Sequence, residues 1–185
     1  MTALRLKKFK EDNEIDIRFK IINIRWIMKK MDNVPFPPSK SSKVNYMWKD
    51  IQRRAKIYQI PIPKIPAPYP LKYFDEANLY ALVALEEGWF VQYLESTYRY
   101  WFLEGIPAGS DKNIKLTCTA NNIDFQLLKE KSSSEKVFKE YKNNTQIAYE
   151  FGIFGVPSFS VNENLFWGDD RLNDIIHFKE ELNLV

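Results

Sequence analysis

Cysteine and histidine occur once each, as Cys118 and His177, and glycine only six times in 185 residues. A lone cysteine excludes an internal disulfide and any Cys-x-x-Cys redox pair, which makes a cytoplasmic chain the default expectation. One histidine and one cysteine cannot supply a Cys/His metal centre. No carboxylate spacing marks a magnesium site either, so no metal is expected. No uncharged apolar run approaches the ~18 residues of a membrane span. The opening, Met1 to Lys10, is basic and amphipathic and lacks the apolar segment of a secretory signal. Charge of one sign is also scarce in excess: 27 basic against 24 acidic residues leave a net +3. Lys7, Lys8 and Lys10, Lys29 and Lys30, and Arg53 and Arg54 therefore read as solvated helix faces, and no nucleic-acid partner is expected.

Hydrophobic residues make up 45% of the chain and aromatics 15%, enough for one ordinary core or a domain with a large insertion. Leu4, Leu6 and Phe9 among lysines predict a helix end broken by Asp12-Asn13. Ile15, Ile17, Phe19 and Ile21 alternate with polar neighbours, the period of a strand, which Ile22 to Ile24 continue. A turn-rich loop follows over Met31 to Pro38. Met47, Ile51, Ala55 and Tyr58 recur at helical spacing within 41–58. Ile60 to Pro70 holds five prolines in eleven residues and predicts a stiff extended connector.

Asp75 is the expected N-cap of a helix to about Glu86, with a second helix from 89 to 104 stopped by Gly105. Trp89, Phe90, Tyr93, Tyr98, Trp101 and Phe102 on that helix read as core or cleft wall. Ser110 caps a helix to about Ala120, and a short helix is expected near 124–131. Ser134 opens a longer one with the apolar set Val137, Phe138, Tyr141, Ile147 and Phe151, ending at Gly152. The order predicts an α/β chain in which a β-rich frame is interrupted by an all-helical insertion.

Residues 151–172 are the densest in chemistry. They predict a helix stop, a strand led by Val156-Pro157, a tight hairpin, a second strand and a helix opening on Asp169, Asp170 and Arg171. A cis peptide at the mouth of a strand leaves a backbone N–H and C=O free for a ligand. The charges that follow offer an anion and a cation beside a helix N-terminus. Together these form a clamp for a small zwitterion. The same charges also read as a plain helix cap with acids in the first turn.

Several stretches resemble one family, the 2-hydroxychromene-2-carboxylate isomerases, which are relatives of the kappa-class glutathione transferases. They are Ile24 to Met28, Met31 to Phe36, Asn45 to Ala55, Pro66 to Leu71, Glu87-Gly88-Trp89, Thr97 to Phe102 and Gly152 to Leu172. The resemblance implies a thioredoxin-like domain (1–38 and 133–185), incomplete at its N-terminus, with a helical insertion domain at 39–132. It implies glutathione as cofactor, bound at Val156 and Pro157, with Asp170 and Arg171 at its γ-glutamyl end and Asn33 nearby. A turn-forming asparagine is the alternative for Asn33. A small aromatic substrate would face Asn23 and Arg25 from the end of the second strand. The family is often dimeric, so a homodimer is the expected assembly.

The family's first strand and its Ser-Pro turn, whose hydroxyl lies beside the glutathione sulfur, have no counterpart in this sequence. Thr2 lacks that context, and no catalytic residue is assigned. The implied activity is a glutathione-dependent cis–trans isomerisation of an aromatic-degradation intermediate. The competing reading is a noncatalytic glutathione- or peptide-binding scaffold.

Overall fold

Asn23 decides how the first third of the chain folds. Its side-chain carbonyl accepts the Trp26 N–H at 2.9 Å and caps helix α2 (Ile24–Lys30). The expected strand over 15–24 is therefore corrected. In the computed structural model, which describes residues 1–33 and 39–182, residues 15–23 carry no regular element. The alternation was real, since Ile15, Ile17, Phe19 and Ile21 turn inward while Glu14, Asp16, Arg18 and Lys20 stay exposed. Periodicity reports which face is buried. A strand also needs a ladder partner, and none lies beside this segment among the described residues.

That extended segment threads three apolar clusters. Ile15 joins Phe9, Leu172 and Ile175 with Phe159, Val161 and Phe166. Phe19 and Ile21 pack into the main core with Leu79, Leu82, Tyr93, Ile114, Leu128 and Tyr141. Ile22 and Ile24 meet Ile27, Ala148 and Ile153. Upstream, a 3-10 turn (Thr2–Leu4) leads into α1 (Leu6–Asn13), which ends where Glu14 adopts φ 48°.

Seven further α-helices follow among the described residues. They are α3 (Ser41–Ile57), α4 (Phe74–Glu86), α5 (Phe90–Glu104), α6 (Asp111–Ala120), α7 (Phe125–Ser132), α8 (Glu135–Glu150) and α9 (Asp174–Leu182). Ser110, Asp124 and Ser134 cap α6, α7 and α8 by accepting the N–H three residues on. Asp75 is not a cap: α4 opens at Phe74, and the Asp75 carboxylate accepts from Asn23 Nδ2 at 2.8 Å and Tyr141 Oη at 3.1 Å. The predicted apolar stripe of α8 is too wide. Phe138, Ile147 and Phe151 are exposed, while Asn144 and Thr145 take the inner face with Val137 and Tyr141. Thr145 can sit there because its hydroxyl donates to the Tyr141 carbonyl at 2.7 Å and accepts the Asn23 N–H at 2.8 Å.

Strands β1 (Ser158–Val161) and β2 (Asn164–Trp167) make an antiparallel hairpin, the only sheet among the described residues. Its turn residues Asn162 and Glu163 both have positive φ, as a two-residue hairpin turn requires. The expected β-rich frame is thus reduced here to one hairpin, packed with α1 and α9. Residues 34–38 of the expected Met31–Pro38 loop, and residues 183–185, lie outside the described residues.

Candidate functional site

The hairpin register builds the site. Ser158 pairs with Trp167, and the Gly168 N–H donates to the Pro157 carbonyl at 3.0 Å. Gly168 then leads directly into the charged turn at 169–171. The Val156-Pro157 bond is cis, as the sequence led us to expect, and Val156 is 50% exposed. Its backbone N–H and C=O take no hydrogen bond among the described residues. Exposure lets water serve these groups, and the same exposure leaves them open to a peptide-like ligand.

Two glycines hold the approach to that edge. The Gly155 backbone lies under the Trp167 indole so closely that a Cβ there would collide with the ring, and Phe154 stacks edge-on against Trp167 at 5.0 Å. Ser158 Oγ donates to the Gly155 carbonyl at 2.7 Å. At Gly168 the backbone adopts φ 120°, with the Asp170 carboxylate folded against its Cα.

Asp169–Arg171 forms a 3-10 turn, and α9 begins only at Asp174, which corrects the expected helix opening on these residues. The turn divides its charges between two sides. Arg171 Nη1 donates to Asp174 at 2.8 Å, and its Nη2 lies 3.6 Å from Asp170. The Asp174 hydrogen bond, with the charges of Asp170 and Asp174, holds the Arg171 guanidinium above its ordinary pKa. This trio faces solvent.

Asp169 turns the other way. Its backbone carbonyl accepts from Arg5 Nη2, and its carboxylate lies 3.4 Å from Arg54 Nε. The Arg5 guanidinium stacks 3.9 Å from the centroid of the Tyr58 ring, and Arg54 donates to the Tyr58 hydroxyl. Burial lowers the Arg5 pKa. At Arg54 burial works in the same direction but is outweighed by the Tyr58 hydrogen bond and by Asp169, so its pKa rises. Neither arginine figured in the sequence-level site. Arg54 read as part of a solvated cluster, and Arg5 reaches Asp169 across 164 positions, a separation no local pattern signals.

The remaining expected site residues lie elsewhere. The Asn33 N–H donates to the Met28 carbonyl at 2.9 Å after Asp32 at φ 50°, which closes α2 in a Schellman-type end. Its backbone serves the turn that the sequence offered as its alternative role. Asn23 lines an open groove of about 1090 Å³ together with Trp26, Asp75, Leu79, Phe138 and Tyr141. Its amide is committed to Asp75 and to the cap of α2. Arg25 stacks over the Phe74 ring at 4.2 Å. No hydrogen bond or ring contact joins Asn23, Arg25 or Asn33 to the 155–171 segment among the described residues.

Over residues 1–178 the chain matches the DSBA-like thioredoxin domain. It belongs to that family. Its one cysteine, Cys118, is buried and has no second thiol to pair with in this sequence. Its curated relatives include the 2-hydroxychromene-2-carboxylate isomerase of Pseudomonas sp. (strain C18), 26% identical over 169 residues, 91% of this chain and 78% of that one. The protein of the same name from Pseudomonas putida is 27% identical over 91% of this chain and 81% of its own length. A third, from Sphingobium xenophagum, is 29% identical over 131 residues, 71% of this chain and 65% of that one. A solved structure of selenomethionyl 2-hydroxychromene-2-carboxylate isomerase superposes with a TM-score of 0.84 at 25% identity, covering 98% of this chain and 88% of that one.

Proposed function

We propose that this chain is a glutathione-dependent isomerase acting on a small aromatic-degradation intermediate of the 2-hydroxychromene-2-carboxylate type. The observation that carries the reading is the unpaired backbone edge at Val156, one residue before Pro157, whose carbonyl accepts from Gly168 at the head of the charged 169–171 turn. Relatives named for this isomerase activity support it across most of the chain.

Glutathione fits the groups present. Its cysteinyl residue offers one N–H and one C=O, the complement of the free Val156 pair, as when a peptide adds to a strand edge. Its γ-glutamyl end carries an ammonium and a carboxylate, which call for an acid and a base at the 169–171 turn. The resemblance assigns Asp170 and Arg171 to that end. When bound, glutathione supplies a thiol whose reversible addition to a conjugated double bond permits rotation about it. The chain's own part is to align the tripeptide along Val156 and Pro157 and to fix its charged end. Asn33 stays a proposed glutathione contact, and Asn23 and Arg25 proposed contacts for the substrate carboxylate, although no hydrogen bond or ring contact ties them to the 155–171 segment among the described residues.

The test is turnover of 2-hydroxychromene-2-carboxylate followed by ultraviolet absorbance as glutathione is varied. The expected outcome is a saturable, glutathione-dependent rate that vanishes when glutathione is omitted. Binding of glutathione without turnover would favour the noncatalytic scaffold. Absence of saturable binding would remove both readings.

A further inference from the structure

Residues 15–21 carry backbone N–H and C=O groups that take no hydrogen bond among the described residues. Their side chains alternate. Ile15, Ile17 and Phe19 are half-buried and Ile21 is buried, whereas Asp16, Arg18 and Lys20 are exposed. Buried backbone groups are nearly always paired, so a run without protein partners is one that water reaches. It is a strand-like segment with an open edge, the kind of template on which another strand can add.

The exposed charges beside that edge follow a definite order. Glu14 and Asp16 precede Ile17, and Arg18 and Lys20 follow it, so opposite signs sit at equal distances from Ile17. None of the four makes an ion pair or hydrogen bond among the described residues. When two copies of the segment pair antiparallel about Ile17, Asp16 lies opposite Arg18 and Glu14 opposite Lys20, each pair occurring twice about the two-fold axis. On the other face Ile15 meets Phe19, and Ile17 meets its own copy. A shift of two residues sets Asp16 against Asp16 or Arg18 against Arg18. A shift of one sets charged residues against apolar ones, and parallel pairing in register matches like charge with like. One register satisfies charge and face together.

We propose that residues 15–19 form a dimerisation edge, on which two copies of this chain pair as antiparallel strands about Ile17. Glu14, at φ 48°, closes α1, so its contact with Lys20 lies at the end of the ladder. The pairing gives the backbone its missing partners, covers the half-buried Ile15, Ile17 and Phe19, and matches four charges that have no partner within the chain. The family resemblance led to the expectation of a homodimer without naming a surface. The order of charges names one, independently of glutathione. A ladder of five residues is short, so the dimer depends on concentration.

The test is sedimentation velocity of the full chain over about 5–500 µM, a range suited to a small interface. Wild type is expected to pass from monomer to dimer. Asp16→Arg and Arg18→Asp each set like charges opposite one another twice per dimer, and each should raise the dissociation constant at least about 10-fold. Mixed in equal amounts, the two variants should associate with each other to within about 3-fold of wild type, because every arginine then faces an aspartate. The double variant Asp16→Arg/Arg18→Asp should recover self-association in the same way. Both positions are exposed, so far-ultraviolet circular dichroism should be unchanged.

A dimer that both single variants leave intact lies on another surface and overturns the assignment. Weakened variants that fail to rescue one another overturn it too, since the charges would then not be paired in this register. A wild type that stays monomeric throughout also overturns it, leaving the edge to a different strand or to water.

Discussion

Gly109 shows how a single backbone position is fixed. It adopts φ +80°, and a Cβ there would run into the Tyr73 carbonyl and lie 3.0 Å from the Ala77 N–H at the start of α4. Glycine is the residue that both the conformation and the space accept. Gly109→Ala is expected to cost on the order of 3 kcal/mol. That corresponds to a melting temperature about 6–12 °C lower, read by calorimetry. A change below about 2 °C would mean that the α4 start moves aside easily.

Cys118 presents the opposite case, a reactive group made inert. It is 1% exposed, and burial, aided by Asp124, pushes its thiol pKa up to about 11. A raised pKa keeps the thiol protonated at neutral pH. Alkylation at pH 8 should therefore be at least ~10-fold slower for the folded chain than in denaturant. Equal rates would contradict the burial.

At the scale of elements, the α5–α6 connection depends on one amide. Asn113 is completely buried, and its Nδ2 donates to the Thr97 carbonyl at 3.1 Å and the Ile106 carbonyl at 3.0 Å. It ties the body of α5, and the loop beyond its Gly105 end, to the first turn of α6. Asn113→Ala would strand the Ile106 carbonyl, while the Thr97 carbonyl keeps its place in the α5 ladder, and should cost about 1–3 kcal/mol by urea denaturation. A loss under about 1 kcal/mol would indicate that water replaces the amide.

Elements were legible where a local residue set them. Ser110 and Ser134 announced α6 and α8, Gly105 the end of α5, and the 158–167 hairpin followed from its proline-led strand and tight turn. Elements failed where a distant partner decided. Ile15 to Ile21 alternate like a strand but have no ladder neighbour, and Asp75 left its expected cap to bond Asn23 and Tyr141. The site divided in the same way. Val156-Pro157 and the charged turn could be read locally, whereas Arg5 and Arg54 meet Asp169 only through the folded chain.

Across the whole molecule, burial is uneven. Among the described residues, the main core gathers fifteen buried residues, all but Ile21 from α4 to α8 and the turns between them, whereas three (Phe9, Leu172 and Ile175) anchor α1, the hairpin and α9. Local opening follows the density of buried apolar contact. In native-state hydrogen exchange, amides of α4, α5 and α8 are expected to exchange slowest. Those of β1, β2 and α9 should exchange markedly faster and slow down when glutathione is added. Uniform protection would show that the hairpin layer is as firmly held as the helices.

The proposed binding surface therefore lies on the less anchored part of the fold, with Arg5 of the amino-terminal segment and Arg54 of α3 reaching over to brace it. The most direct measurement is a glutathione titration of 15N-labelled protein with the Val156, Gly168 and Asp169 amide resonances assigned. The account predicts that these three shift together and saturate with one dissociation constant, Val156 moving downfield as its free N–H gains an acceptor. An unmoved Val156 amide at glutathione concentrations that saturate other resonances would contradict it.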